Sequence, residues 1–330
     1  MRAIRIHRYG GPEECRWEDA DAPRPGPGEV RVKVAVAGLN FIDTHMRLGR
    51  YAASTTYPNV LPMVLGMEAA GTVDEVGPGA AEFRAGDRVA YCVVRGSFAE
   101  YAVVPERRLV RVPEGIDWPA AAALMLQGLT AHYLSHSAYA LQPGDSCLVH
   151  AAAGGVGGLL VQLAKARGAT VIGTVGSEEK ARIARSLGAD HVVLYKTQDF
   201  RDEVRRITGG RGVDVAYDSI GRDTIARSIR SVRRRGLVVN YGGASGLVES
   251  IVPLELGEAG SVFFTRPHLA DYIATPEELR GRAAELFALA ARGALRVTID
   301  RRYPLSQAAD AMRYLEEGRT RGKVILDPGA

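Results

Sequence analysis

The sequence is poor in cysteine and in long apolar runs, and each shortage excludes a class of protein. Its three cysteines, Cys15, Cys92 and Cys147, lie far apart and form no CxxC pair, which argues against a disulfide scaffold or a cysteine-based metal site. No apolar run reaches the length of a membrane span, and the amino-terminal residues alternate like a strand instead of forming a signal peptide. We therefore expect a cytoplasmic protein that has no membrane partner.

The sequence also lacks a strong excess of charge of one sign. Lysine and arginine number 42 against 38 aspartates and glutamates, a net charge of +4 over 330 residues, so nucleic acid is not an expected partner. The densest basic run, Arg233-Arg234-Arg235, comes just before Gly236, and we expect it to complement the carboxyl end of a helix dipole. The length predicts two domains, and the 46% hydrophobic content is ordinary for a globular protein.

The first part of the chain has the pattern of a small β domain. Valines alternate with other residues from 29 to 36, which predicts a strand with one buried face. Shorter strand patterns follow near 71–76, 87–91 and 98–104, and glycines and prolines separate them. This spacing favours a barrel-like β domain.

A glycine-rich turn at 146–158 organises the second part of the chain. An apolar strand pattern ends at Val149, small residues follow, and an apolar helical pattern opens at Val156. The dinucleotide fingerprint G-x-G-x-x-G is met with Ala152, Gly154 and Gly157 at its three glycine positions. The free N–H groups of the following helix would hold a pyrophosphate.

Strand and helix patterns alternate after this turn, which predicts an α/β domain with a doubly wound parallel sheet. Further strands are expected at 170–175, 191–194, 213–217, 237–240 and 261–264. The tail holds two amphipathic helices and a last strand. We expect three segments: a substrate domain over 1–123, a cofactor domain over 124–264, and a return of 265–330 to the first domain.

Several motifs at characteristic spacing point to one family. They are Pro25-Gly26-Pro27-Gly28-Glu29-Val30, Gly38-Leu39-Asn40-Phe41-Ile42-Asp43, Gly66-Met67-Glu68-Ala69-Ala70-Gly71, Ala85-Gly86-Asp87-Arg88-Val89, Gly128-Leu129-Thr130-Ala131, the fingerprint, Tyr217-Asp218-Ser219-Ile220-Gly221 and Thr265-Arg266-Pro267. Over nearly its whole length the chain resembles the zinc-free, zeta-crystallin-like quinone oxidoreductases of the medium-chain dehydrogenase/reductase superfamily. The resemblance implies a GroES-like β domain, a Rossmann domain, a cofactor cleft between them, and a homodimer or tetramer.

The resemblance also bears on metal content. Zinc-bearing relatives have a cysteine and a histidine where this chain has Asn40 and Met67. Neither an amide nor a thioether is a usual zinc ligand, so no metal is expected.

The preferred cofactor is predicted from the end of the second strand of the cofactor domain. Enzymes that use NAD place a carboxylate there, whereas this chain has Gly176 and Ser177, followed by Lys180. A 2′-phosphate would meet no carboxylate at this point, so NADPH is the expected cofactor. In the family the position of Tyr195 borders the same phosphate. The alternatives are that Lys180 is a solvated helix lysine and that Tyr195 only packs at a strand end.

The resemblance assigns the remaining site residues. Asn40, Asp43 and His45 are the catalytic candidates, although Asp43 could serve only to hold the loop and His45 only to line the pocket. The substrate pocket is expected to include Phe41, Tyr51 and Gln127. Further cofactor contacts are expected from Thr44, Thr130, Gly155, Val156, Ser219, Tyr241, Gly242, Gly243, Ala244, Phe264, Arg266 and Pro267. Gly242 and Gly243 could equally be plain turn glycines.

These features together predict an NADPH-dependent quinone reductase. Without a metal, an acceptor that delocalises the incoming charge is favoured, which places quinones first and α,β-unsaturated carbonyls second. An NADPH-dependent enone or 2-alkenal reductase is therefore the alternative enzyme. The alternative from another class is a structural or RNA-binding protein, as some zeta-crystallin-like members are.

Overall fold

The computed structural model describes all 330 residues, Met1–Ala330, and divides into two compact units. Unit 1 contains Met1–Leu129 and Tyr272–Ala330, and unit 2 contains Thr130–Asp271. The strands are β1 (Arg2–Ile6), β2 (Arg16–Asp19), β3 (Glu29–Leu39), β4 (Met63–Val64), β5 (Glu68–Val76), β6 (Arg88–Cys92), β7 (Tyr101–Pro105), β8 (Val110–Arg111), β9 (Ser146–Val149), β10 (Thr170–Val175), β11 (His191–Leu194), β12 (Val213–Asp218), β13 (Val232–Asn240), β14 (Phe263–Thr265), β15 (Ile299–Pro304) and β16 (Lys323–Asp327). The α-helices are α1 (Phe41–Arg47), α2 (Trp118–Ala123), α3 (Leu129–Tyr133), α4 (Gly155–Ala166), α5 (Glu178–Ser186), α6 (Phe200–Ile207), α7 (Ile225–Ile229), α8 (Pro253–Glu258), α9 (Leu269–Tyr272), α10 (Pro276–Ala291) and α11 (Ala308–Glu316).

Unit 1 is built around the long strand β3. Its seven-stranded sheet has the order β15-β16-β3-β5-β6-β8, and β7 also pairs with β3. The alternating valines of β3 put Val30 and Val32 in the core, as the period of two predicts. The last strand, β16, pairs antiparallel with the end of β3, so residues from the two ends of unit 1 meet in one sheet.

Unit 2 has a six-stranded sheet of order β11-β10-β9-β12-β13-β14, in which every neighbouring pair is parallel. The predicted doubly wound sheet is confirmed. Strand order reverses at β9, and this is the point where open α/β sheets bind ligands beyond the carboxyl ends of their strands. Buried aliphatic side chains on one face of the sheet pack against α6 and α7.

The basic run was expected at the carboxyl end of a helix, and that expectation is wrong. Helix α7 ends at Ile229, and the three arginines lie within strand β13. Arg233 Nε donates to Asp214 Oδ1 at 2.6 Å, and Arg235 has a left-handed backbone with φ of 56°. The register shift between β12 and β13 makes room for this irregular start. Asp214 therefore pairs with Arg233, and Arg234 and Arg235 are exposed to solvent.

The division between the units falls at 129/130 and 271/272, whereas the sequence pattern suggested 123/124 and 264/265. Helical structure continues from Trp118 to Ala138 through two π-helical segments, so no turn residue marks the first division. None of the helices combines the length and the apolar composition that crossing a bilayer requires.

Candidate functional site

Asn40 lies between the end of β3 and the start of α1. Its backbone N–H donates to Asp43 Oδ2 at 2.8 Å, and the backbone N–H of Asp43 donates to the Asn40 carbonyl oxygen at 3.1 Å. These bonds satisfy groups that the first turn of a helix leaves without partners. Because Asp43 makes the side-chain part of this cap, the Asn40 carboxamide is available to other groups.

Two side chains fix the Asn40 carboxamide. Lys323 Nζ donates to Asn40 Oδ1 at 2.9 Å, and Gln127 Nε2 donates to the same oxygen at 3.2 Å. Asn40 Nδ2 donates to the carbonyl oxygen of Gly38 at 3.3 Å. Both acceptor positions of the amide oxygen are used, and the lysine ammonium can only donate. A rotation that exchanged the amide oxygen and nitrogen of Asn40 would therefore break these hydrogen bonds.

The residues at the two positions that hold zinc in metal-bearing relatives do not fit that ion here. Asn40 Oδ1 already accepts two hydrogen bonds, one of them from a cation. Met67 offers a buried thioether. A zinc site normally contains thiolate, imidazole or carboxylate groups, and neither position provides one.

Asp43 is completely buried, and its Oδ2 accepts a hydrogen bond from the backbone N–H of Asn40. Burial raises the pKa of the Asp43 carboxyl to about 8, against the lowering effects of the Asn40 N–H and of Lys323. The charged groups nearest to it are Lys323 and Glu68. This geometry gives Asp43 a positioning contact; a catalytic role remains a prediction.

The raised pKa predicts how stability varies with pH. A carboxyl with a higher pKa in the folded state contributes stability below its unfolded pKa of about 3.8, and this contribution is lost as the pH rises through about 8. The free energy of unfolding should therefore fall over this range. In Asp43→Asn, which keeps an acceptor for the Asn40 N–H, that part of the dependence should disappear. Urea unfolding of both proteins between pH 5 and pH 8 measures the difference, and parallel profiles would contradict it.

His45 lies in an aromatic cluster beside the Asn40 loop. Its ring centroid lies 6.3 Å from that of Phe41 and 6.1 Å from that of Tyr51. Arg50 Nη1 lies 3.1 Å from His45 Nδ1, and because arginine only donates, Nδ1 accepts. The neutral ring then carries its proton on Nε2; a catalytic role for His45 stays a prediction. The structure thus brings three of the predicted residues together.

Thr44 is buried and faces α11. Its hydroxyl donates to Glu316 Oε1 at 3.2 Å. Glu316 also forms an ion pair with Arg47, the last residue of α1. These contacts connect α1 to α11, so the hydrogen bond of the Thr44 hydroxyl is structural. The predicted cofactor contact of Thr44 stays a prediction.

The fingerprint turn of unit 2 requires small residues. Ala151 adopts a left-handed backbone with φ of 51°, and the Gly154 N–H closes the turn on the Ala151 carbonyl at 2.8 Å. A Cβ on Gly157 would overlap the Ala151 carbonyl oxygen and lie 2.8 Å from its carbon. Helix α4 therefore begins against the turn, and the N–H groups of Gly155, Val156 and Gly157 in its first turn are suited to an anion.

A buried polar network that the sequence analysis missed supports this turn. His150 precedes the turn; its Nδ1 lies 2.9 Å from Thr174 Oγ1 and its Nε2 lies 3.0 Å from Ser228 Oγ. Ser228 donates to Asp218 Oδ2 at 2.7 Å, so it must accept from a protonated Nε2. Burial lowers the pKa of His150, which favours this neutral form. A buried histidine next to the fingerprint was the available signal.

The carboxyl end of β10 gathers several of the residues predicted to recognise a 2′-phosphate. Ser177 caps α5, and its Oγ accepts from the Lys180 backbone N–H at 3.3 Å, which leaves its hydroxyl proton for another acceptor. A Cβ on Gly176 would lie 2.9 Å from the Tyr195 hydroxyl and 3.4 Å from Lys196 Cε. Lys196 is therefore a further cation at this strand end, and its position directly after Tyr195 is the sign of this in the sequence.

The other predicted cofactor residues of unit 2 follow strands at the same edge of the sheet. A Cβ on Gly242 would overlap the carbonyl oxygen of Ser219 and lie 2.8 Å from its Cα, so close approach of two loops requires this glycine. Ala244 N donates to the same carbonyl at 3.1 Å. Tyr241, Gly243, Phe264, Arg266 and Pro267 follow or end β13 and β14, Ala152 is buried behind the fingerprint, and Thr130 is buried in α3.

Comparison with known proteins agrees with this architecture. Residues 26–114 match the family model for the alcohol dehydrogenase GroES-like domain, and residues 187–326 match the model described as zinc-binding dehydrogenase. The GroES-like domain predicted from the sequence is confirmed.

Individual relatives match over the whole length. A quinone oxidoreductase of Pseudomonas aeruginosa is 44% identical over 99% of both chains, and a 2-haloacrylate reductase of a Burkholderia species is 43% identical over 100% of both. The crystal structure of Escherichia coli quinone oxidoreductase complexed with NADPH superposes with a TM-score of 0.96, at 40% identity, over 99% of this chain and 100% of that one. The chain belongs to the quinone oxidoreductase family of the medium-chain dehydrogenase/reductase superfamily.

Proposed function

We propose that the protein is an NADPH-dependent quinone reductase that works without zinc. The observation that carries this proposal is the Asn40 carboxamide, which stands at a metal-ligand position and is held by Lys323 and Gln127. The similarity to quinone oxidoreductases over the full length supports it. The NADPH complex of a relative supports the choice of cofactor.

Unit 2 offers a group for each charged part of the cofactor. The N–H groups of the first turn of α4 would hold the pyrophosphate, and Gly154 and Gly157 leave the space that its approach needs. Ser177, Lys180, Tyr195 and Lys196 would surround the 2′-phosphate. When bound, NADPH supplies a hydride, that is two electrons and one proton, and a further proton from solvent completes the hydroquinone.

The residues of unit 1 would orient the acceptor. An ordinary ketone would need a Lewis acid to stabilise the alkoxide that forms on reduction, whereas a quinone spreads the charge over its ring. An amide N–H from Asn40 can donate to the acceptor oxygen, and His45 carries a proton on Nε2. We propose that Phe41, Tyr51 and Gln127 border the acceptor and that Asp43 holds the loop.

An acceptor series tests the proposed function. With NADPH, simple 1,4-quinones should be reduced, 2-alkenals or enones more slowly, and with NADP⁺ primary alcohols should not be oxidised, because only the first two classes delocalise the charge. Activity should persist in a chelator. The measurement is kcat/KM across the three classes on one preparation. Robust alcohol oxidation, or activity lost with a bound zinc, would overturn the proposal.

A second candidate function is reduction of an activated carbon–carbon double bond. The observation in its favour is the similarity to a protein named 2-haloacrylate reductase, at an identity close to that of the quinone oxidoreductases. The same site would stabilise an enolate. An enone or haloacrylate rate far above that of every quinone in the series would favour this function.

The cofactor preference gives a separate prediction. Lys180→Ala should weaken NADPH binding by about 1–2 kcal/mol, the scale of one charge-assisted hydrogen bond, and leave NADH binding nearly unchanged. Lys196→Ala should behave in the same way, because Lys196 Cε lies beside Gly176 at the end of β10, and Lys180 lies in the first turn of the helix that follows this strand. Titration of NADPH and NADH by fluorescence measures the two losses. Equal losses for both cofactors would show that neither lysine contacts the 2′-phosphate.

We also propose that the protein is a homodimer, with a tetramer as the alternative. Strand β14 is an edge of the unit 2 sheet, and Phe263 on it is 63% exposed. Val252 and Leu254 are also exposed apolar residues of unit 2. Pairing of two copies of an edge strand about a twofold axis would protect such a surface. The three free cysteines agree with a cytoplasmic setting.

A further inference from the structure

A lysine and a glutamate form a buried ion pair next to the side chain of Asn40. Lys323, the first residue of β16, pairs with Glu68, the first residue of β5, and their side chains are 1% and 0% exposed. Glu68 Oε2 also accepts from the Leu126 backbone N–H at 2.6 Å. Lys323 Nζ contacts Glu68 and donates to the amide oxygen of Asn40.

Stability alone does not explain this pair. Desolvation of two charges offsets most of their attraction, and apolar replacements for buried pairs are often neutral or stabilising. The fold nevertheless leaves space for it, because a Cβ on Gly38 would overlap Glu68 Oε1 and lie 2.6 Å from Lys323 Cε. A glycine in the middle of the sheet, at the end of the strand that leads to Asn40, is the structural requirement for this pair.

The Lys323–Glu68 ion pair determines which atom of the Asn40 carboxamide can contact a ligand. Because Lys323 can only donate, it holds Asn40 Oδ1 inward, and Gln127 occupies the other acceptor position of that oxygen. Nδ2 must therefore lie on the opposite side, where one of its protons is directed to the Gly38 carbonyl. The other proton is the one that Asn40 can offer to a ligand.

We propose that Lys323 is a positioning residue that fixes Asn40 as a hydrogen-bond donor to the oxygen of the hydride acceptor. This inference rests on the proposed reductase function. A cation that binds the amide oxygen also draws electron density from the amide nitrogen, so the N–H becomes a stronger donor. Glu68 keeps the lysine in place, and Lys323 acts on the acceptor through Asn40.

The first test does not depend on turnover. In the protein without cofactor, the Asn40 side-chain amide resonances are identified by their loss in Asn40→Ala. The variant Glu68→Gln/Lys323→Met removes both charges together, so no unpaired charge is left buried. We expect its Asn40 amide nitrogen and proton signals to move upfield, as weaker polarisation requires. Unchanged Asn40 signals would overturn the inference.

The second test is a mutant cycle on kcat with the acceptor that the wild-type enzyme reduces best. Asn40→Ala should lower kcat on the order of a hundredfold, the scale of one lost transition-state donor. The neutral pair variant should lose about tenfold, and the combined variant should lose no more than Asn40→Ala alone. If the combined variant shows the product of the two separate losses of kcat, the pair acts independently of Asn40, and the inference is overturned.

A control variant separates positioning from general loosening. Ser97→Ala removes the hydrogen bond that Ser97 Oγ accepts from the Glu68 backbone N–H at 3.2 Å, without touching Lys323 or Asn40. Its kcat and its Asn40 signals should stay close to those of the wild type. A loss of kcat equal to that of the neutral pair variant would contradict the inference.

The outcomes separate the proposed function from the inference. A wild-type enzyme that reduces neither quinones nor enones would overturn the proposed function, and the inference with it. An active enzyme in which the losses of kcat multiply would overturn the inference alone.

Discussion

Replacing Gly157 by alanine should raise the Kd for NADPH on the order of a hundredfold. The added Cβ would overlap the Ala151 carbonyl oxygen and lie 3.1 Å from Ala152 Cα, and both neighbours are backbone. Helix α4 must therefore move away from the turn, which takes its first N–H groups away from the pyrophosphate. Loss of one or two hydrogen bonds to a charged group, at about 1.5–3 kcal/mol each, accounts for a change of this size.

Two other glycines provide graded controls for this prediction. A Cβ on Gly154 would lie 3.1 Å from the Ala151 carbonyl oxygen, a tight contact, so Gly154→Ala should have a smaller effect on Kd. Gly281 lies exposed within α10 with nothing near its Cβ, so Gly281→Ala should leave Kd unchanged and stabilise the protein by roughly 0.5–1 kcal/mol. Fluorescence titration and urea unfolding measure both quantities. Wild-type affinity in Gly157→Ala would refute the role given to the turn.

The second large effect is expected where α1 is tied to α11. Glu316→Gln should lower the free energy of unfolding by about 3 kcal/mol, the lower end for a broken buried ion pair, because Glu316 is 31% exposed. Its partner Arg47 is fully buried and keeps one donor bond, from Nη1 to the Gly10 carbonyl at 2.6 Å. The substitution leaves that cation without a balancing charge.

A matched control lies on the same helix. Asp310 and Arg313 form an exposed ion pair within α11, and Asp310→Asn should change the free energy of unfolding by less than about 0.5 kcal/mol. The double variant Arg47→Met/Glu316→Gln removes both charges and should recover part of the loss. Urea unfolding at pH 7 compares the four proteins. Similar losses for the buried and the exposed pair would show that burial does not set the size of the effect.

Local patterns predicted the cofactor domain well. The expected strands at 170–175 and 191–194 coincide with β10 and β11, and the fingerprint forms the turn between β9 and α4. These features depend on residues close together in the chain, whose periodicity and small side chains are visible in the sequence. The assignment of Arg233 to a helix end failed because its partner Asp214 lies on another strand.

The candidate site was predicted only in part, because its contacts also join residues that are far apart in the chain. Asn40 was identified from its motif, but nothing local to Glu68 or Lys323 shows that they meet beneath it. Their contact depends on the pairing of β16 with β3, between segments nearly 300 residues apart; the bond from Lys323 to Asn40 spans 283 positions. A lysine directly before an apolar run that begins with Val324 and Ile325 was the visible sign in the sequence.

That pairing has a consequence for biosynthesis. Unit 2 is one continuous stretch, Thr130–Asp271, and can fold while the ribosome is still translating the rest. The sheet of unit 1 can be completed only late in translation, because β3 is synthesised early and its neighbour β16 is synthesised late. Until Lys323 arrives, Glu68 is a carboxylate without its cation and Asn40 Oδ1 lacks its strongest donor. A nascent chain that stops before β16 would therefore have all of unit 2, whereas Glu68 and Asn40 in unit 1 would lack the contact with Lys323.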